Sequence, residues 1–207
     1  MTHYMMQPGC LDPWVQFLKT IMERPMPFEC ETFNEEDMLK VQEMEKRVEW
    51  KIKGLAAKFS YRLFVKWGSL SSKGPEASSD FDTAFKHNFI HNMMPMLLDS
   101  HLTLVFKRKS HFVATRPLIY SLSFLFKAVK VPQAMEIMHP YLENLLFETT
   151  VPIVLVTTHD LYLFKDDPIE YLRKYQDTTV ETRQSTRLCM INFLQGLVSF
   201  KAQKYDT

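Results

Sequence analysis

Apolar residues recur at intervals of three and four along most of this chain, the period of one face of a helix. Trp14, Phe17, Leu18, Ile21 and Met22 predict a first helix that opens at Asp12-Pro13, and Arg24-Pro25-Met26-Pro27 closes it. An acidic, irregular stretch follows, giving a loop near 24–36. Met38, Val41, Met44 and Val48 then form a narrow stripe leading into a helix that runs to Trp67. In that helix Ile52, Leu55, Ala56, Phe59, Leu63, Phe64 and Trp67 predict a broad buried face, with Gly68 as its C-terminal cap. SLSSKGPEASS, residues 69–79, reads as the clearest loop.

Asp80 opens the next helix, carried by Phe81, Ala84, Phe85, Phe89, Met93, Leu97 and Leu98 as far as Phe106, with a kink expected about one turn before Pro95. A helix with Pro117 near its start carries Leu118, Leu122, Leu125, Phe126 and Val129. Another is expected from about Gln133 to Val156, kinked at Pro152. The pattern breaks near 157–167, which reads as a loop with a short amphipathic turn, and restarts at Asp167-Pro168. There the carboxylate can cap an orphan backbone N–H, and proline at the first helical position loses no hydrogen bond. A last helix is expected over about Val180 to Lys201.

The whole chain of 207 residues thus reads as one all-α block of about four helix pairs. The pairs recur at roughly the 40–47-residue period of HEAT- and armadillo-type repeats. A lone pair cannot bury both faces, so stacking into an α-solenoid (an α-α superhelix) follows, with a globular helical bundle as the alternative. Sixteen Phe, thirteen Met and only five Gly fit helix-to-helix packing with few tight turns.

A net charge of +1 asks for neither nucleic acid nor an anionic membrane, and the apolar runs are too short to span a bilayer. The N-terminus lacks a basic segment followed by an apolar core, so no signal peptide is expected. Cys10, Cys30 and Cys189 are odd in number and widely spaced, which suits reduced thiols.

Candidate chemistry is sparse. His87 and His91 have the spacing of a zinc pair, but Asn88 stands where a metalloprotease needs Glu, so ordinary polar surface is the simpler reading. Cys189 lies among apolar neighbours and reads as a structural thiol. Lys107, Arg108, Lys109, His111 and Arg116 form the basic cluster, which also suits a helix C-terminus. Glu29, Glu31, Glu35, Glu36 and Asp37 make an acidic patch without a nameable partner acid. No catalytic set, metal site or cofactor site is expected, and partner-binding residues stay unassigned.

Two segments carry a family resemblance. Phe164-Lys165-Asp166-Asp167-Pro168-Ile169-Glu170-Tyr171-Leu172-Arg173-Lys174 follows the apolar-Pro-apolar Val151-Pro152-Ile153. Upstream, Glu49-Trp50-Lys51-Ile52-Lys53 leads to Arg62-Leu63-Phe64-Val65-Lys66-Trp67-Gly68. In order and spacing both resemble the importin-β superfamily, its importin-seven/importin-eight class most closely, over roughly residues 11–200. Gly54 and Leu55 depart from that pattern, as does TTVETRQSTR after Asp177. The resemblance implies an interior HEAT-repeat portion of a nuclear import receptor that is not an enzyme. It implies protein cargo, Phe-Gly nucleoporins and the Ran GTPase as partners, Ran weakly for this block alone, and shuttling between cytoplasm and nucleus. A HEAT scaffold of a phosphatase or coat complex is the alternative.

Overall fold

Pro95 and Pro152 each lack the N–H that a helix needs, and each ring crowds the carbonyl four residues back. The computed structural model describes residues 10–26, 38–68, 85–156, 158–176 and 185–205, and it resolves both conflicts in the same way. A π turn, Phe89–Met93, precedes Pro95, and a second, Leu145–Thr150, precedes Pro152. In the first, Met94 N–H donates to the Phe89 carbonyl; in the second, Val151 N–H donates to that of Leu146. These five-residue steps widen the helix and let the chain continue past the proline. The expected kinks therefore take the form of π turns. Pro140 lies in a 3-10 turn, His139–Tyr141, so the expected 133–156 helix is a series of short segments.

The described helices are α1 (Asp12–Glu23), α2 (Met38–Glu45), α3 (Val48–Trp67), α4 (Met94–Lys107) and α5 (Thr115–Ala128). After them come α6 (Pro132–Met138), α7 (Leu142–Asn144), α8 (Val151–Val154), α9 (Thr158–Asp166), α10 (Pro168–Gln176) and α11 (Thr186–Tyr205). They stack as an all-α solenoid of HEAT-like pairs. In one layer α3 packs on α5 and α5 on α11; in the other α1 packs on α4, which meets the α6–α8 run. Crossing between layers, α1 meets α3, α4 meets α5, and α8 meets α11. Among the described residues this gives three pairs.

Helix α5 lies at the centre, and its composition explains why. Pro117, Leu118, Ile119, Tyr120, Ser121, Leu122, Phe124, Leu125 and Ala128 are all buried, so the helix is enclosed rather than amphipathic. Its Phe124 ring lies 4.5 Å from that of Phe64 on α3. At its inner end Gly196 of α11 meets Phe126; a Cβ there would stand 3.2 Å from the ring.

Inside this core sits one polar triad. His101 (α4) is fully buried between Ser60 (α3) and Ser121 (α5). Ser60 Oγ donates to the Ala57 carbonyl at 2.9 Å, so it accepts from His101 Nε2 at 2.6 Å. Ser121 Oγ then donates to Nδ1 at 2.8 Å. This network assigns a neutral imidazole protonated on Nε2, with the ring stacked on Phe124 at 4.1 Å.

Several expectations are corrected here. Residues 158–166, expected within a loop near 157–167, form α9. Asp12 occupies the first helical turn of α1 and does not cap it, because Leu11 holds the N-cap position without a side-chain bond. The stripe 38–48 does not run straight into the next helix; a turn at Lys46-Arg47 separates α2 from α3. Ile52, Leu55 and Phe59, expected in the buried face of α3, are 46%, 48% and 56% exposed. Ala56, Phe64 and Trp67 are buried as expected, and Trp50, Lys53, Gly54, Ala57 and Ser60 join them, since small residues let α3 approach its neighbours closely. On α1 the buried set is Val15, Leu18 and Met22, while Trp14 and Phe17 face outward. Gly68 follows α3 in right-handed backbone, φ −75°, so it is not a left-handed cap. Space selects it: a Cβ there would lie 2.5 Å from the Phe64 carbonyl oxygen. The expected loop at 69–79, the start at Asp80 and residues 27–36 of the expected 24–36 loop lie outside the described residues.

Burial lowers the His101 pKa from 6.5 to about 3. In the unfolded chain the ring protonates as pH falls through 6.5, while the folded protein resists until about pH 3. Stability is therefore full above pH 6.5 and declines below it, by up to about 1.4 kcal/mol per pH unit from this group. Urea titrations between pH 7 and 4.5 should show that slope in the native sequence and lose most of it in His101→Gln. Equal slopes in the two proteins would remove His101 as the cause.

Candidate functional site

The structure separates the sequence-predicted candidates. His87 and His91 lie one helical turn apart, rings 4.2 Å between centroids, and no cluster of three metal-ligating side chains exists among the described residues. Cys189 is buried on α11, its Sγ 3.8 Å from Ser123 Oγ, and burial raises its pKa, which suppresses the reactive thiolate. The acidic patch Glu29, Glu31, Glu35, Glu36 and Asp37 lies outside the described residues.

Lys107, Arg108 and Lys109 close α4, where cations face the negative end of the helix dipole. Lys109 also reaches Glu148 at 2.9 Å. His111 follows, its Nδ1 2.7 Å from Ser110 Oγ, and Arg116 stands in the first turn of α5. The cluster is thus spread along one α4–α5 corner.

Asp167 Oδ1 accepts from the Glu170 backbone N–H at 2.9 Å, with Pro168 as the first residue of α10. Glu170 in turn pairs with Arg173. A second acid of this region was missed in the sequence. Asp160, in the first turn of α9, is 2% exposed and meets Arg187 of α11 at 2.5 Å; the same guanidinium donates to the Leu155 carbonyl at 2.8 Å. Neither residue belongs to a local motif, so only the folded chain brings them together.

What the molecule presents most plainly is apolar surface. Val48, Ile52, Leu55 and Phe59 form a continuous stripe on the exposed side of α3. Trp14 and Phe17, in edge contact at 6.1 Å, are exposed on α1 of the same pair. On α9 and α10, Leu161, Tyr162, Phe164, Ile169 and Leu172 are exposed as well, and Val198 projects from α11 beside half-buried Leu194 and Leu197. Contiguous apolar patches on a folded protein mark contact surfaces, not catalytic ones.

Comparison with known proteins accords with such a surface. No protein-family model and no solved structure matches the sequence. An "Importin beta-like SAD2 homolog" of Arabidopsis thaliana is 28% identical over 193 residues, 92% of this chain and 18% of the relative. "Importin-8" of Danio rerio is 25% identical over 189 residues, 85% of this chain and 18% of the relative. "Importin-8" of Mus musculus is 24% identical over 163 residues, 77% of this chain and 15% of the relative. The relatives are importins. The resemblance seen in Glu49–Gly68 and Phe164–Lys174 therefore extends along nearly all of this chain, as importin-β-like similarity. The chain spans less than a fifth of the length of these importins.

The two acids of the α9–α10 region should behave differently on substitution. Asp167→Ala removes one exposed capping bond and should cost about 1 kcal/mol. Asp160→Ala takes away the buried carboxylate that pairs a largely enclosed guanidinium and should cost about 3 kcal/mol. Urea denaturation of both variants checks the order; equal losses would show that Asp160 does not hold α9 to α11.

Proposed function

We propose that this chain forms part of a nuclear transport receptor, an importin that carries protein cargo between cytoplasm and nucleus. The observation that carries this reading is its importin likeness over 77–92% of its length. The physical form supports it. Stacked helix pairs build an extended surface for a folded cargo, and the grooves between neighbouring pairs suit short apolar side chains such as the phenylalanines of Phe-Gly nucleoporins. The exposed apolar residues of α1, α3, α9 and α10 supply contact area of the right character. Neither nucleic acid nor membrane is a partner in this reading. The near-neutral charge gives no reason for nucleic acid, and no described helix is long and apolar enough to cross a bilayer.

Ran-GTP and cargo bind the whole receptor through several separated surfaces in this reading. A block of this size holds few of them and loses the avidity that comes with the rest. Phe-Gly contacts need only two adjacent pairs and survive. The purified chain, titrated with a Phe-Gly repeat peptide and with the same peptide carrying Ser for Phe, should bind only the first. Ran-GTP at moderate salt should bind weakly, with a dissociation constant well above about 1 μM. Failure to bind Phe-Gly would favour a HEAT scaffold of another assembly. Submicromolar Ran-GTP affinity would mean that the block holds a principal Ran surface.

A further inference from the structure

A cavity of about 140 Å³ lies where the C-terminal end of α1 meets α3 and the end of α4. Its walls are apolar, built from Met22, Met44, Leu104, Phe112 and Val113. Its polar lining among the described residues comes from Trp50, Lys53, Lys107 and His111, with no carboxylate. Trp50 is 6% exposed, edge-on to Phe112 at 5.7 Å, and its indole N–H is buried without a hydrogen-bond partner. Lys53 is 5% exposed. Its Nζ donates to the carbonyls of Met22 and Arg24, each at 2.6 Å, which leaves one of three N–H groups unused. Glu23, the acid whose charge acts on Lys53, is already held by Lys19 at 3.1 Å and by Ser100 Oγ at 2.7 Å.

Buried donors with no acceptor are costly, and here an indole N–H and an ammonium N–H share one chamber. Desolvation and the charge of Lys107, against the opposing pull of Glu23, lower the Lys53 pKa to about 8. A water brings donors as well as acceptors. A carboxylate brings acceptors alone and offsets both lysines. The volume is close to the roughly 150 Å³ of an engineered cavity that holds benzene, a worked case in another protein.

We propose that this cavity binds a single carboxylate carried on a compact apolar body of about benzene size. The carboxylate accepts from Trp50 Nε1 and Lys53 Nζ, and the apolar body lies against Met22, Met44, Leu104 and Phe112. Two sources share this chemistry: a free small monocarboxylate, and the terminal carboxyl of a peptide ending in an apolar residue.

The test follows the indole N–H resonances of the ¹⁵N-labelled chain, with that of Trp50 assigned by its loss in Trp50→Phe. Benzoate should shift the Trp50 resonance saturably, and benzamide, equal in shape but uncharged, should bind at least about tenfold more weakly. Trp50→Phe keeps the ring packing on Phe112 and should weaken benzoate about tenfold, read from the remaining resonances. Lys107→Gln, at the solvent-exposed mouth, should weaken it about threefold. A peptide ending in leucine carboxylate, against its amide, separates the sources. Selective binding of the peptide acid alone points to a protein terminus, and binding of benzoate identifies a free carboxylate. Equal response to benzoate and benzamide, an unmoved Trp50 resonance with both carboxylates, or unchanged affinity in Trp50→Phe would each overturn the proposal.

Discussion

A neutral histidine surrounded by hydrocarbon constrains the rest of this fold. His101 offers one donor and one acceptor, and each has a single correct partner, Ser60 on α3 and Ser121 on α5. Apolar packing tolerates small slides between helices, because one methyl contact replaces another. A buried imidazole does not, since a slide of even an ångström leaves a polar atom unsatisfied. The triad therefore fixes the axial register of three helices far apart in sequence. It also dictates the tautomer, through the bond from Ser60 Oγ to the Ala57 carbonyl.

Around that point the stack is assembled by enclosure and by clasps. Helix α5 is surrounded by α3, α4 and α11, so it contributes to the burial of each of the three pairs. The clasps are ionic and local. Lys53 ties the end of α1 to α3, and Arg187 ties α9 and the Leu155 carbonyl to α11. Each brings a charged group to backbone or carboxylate oxygens at a place where a helix ends and its last carbonyls lack partners.

Much of this architecture is legible in the residues. Pro95 and Pro152 forecast two of the interruptions, though not the one at Pro140, and the spacing of Leu97, Leu98, Leu118, Leu122 and Leu125 forecast the central core. The face of α3 was misread because apolarity alone does not choose an orientation. Helix α3 is apolar on two sides, and the side that packs is the one bearing Gly54, Ala57 and Ser60, which permit close approach. His101 left a trace, lying on the same face as Leu97, Leu98 and Val105, but a lone histidine in an apolar run does not announce its two serines. The α9 helix was hidden because Leu161, Tyr162 and Phe164 stay exposed and its buried anchor, Asp160, depends on a partner 27 residues away. The acceptor-poor chamber at Trp50 and Lys53 follows from three segments converging, which no local pattern encodes.

The enclosure of α5 has a mechanical corollary. Load passed along the α3–α5–α11 layer crosses two interfaces in series, one where Gly54 meets Arg116 and Pro117, the other closed by Gly196 against Phe126. Both bring backbones close, so both resist shear more than a joint of long, flexible side chains would. The opposite layer contains the π turns at Phe89–Met93 and Leu145–Thr150, whose wider backbone has a looser hydrogen-bond ladder. The two layers thus differ in build, one joined by close backbone approach and the other interrupted by widened turns.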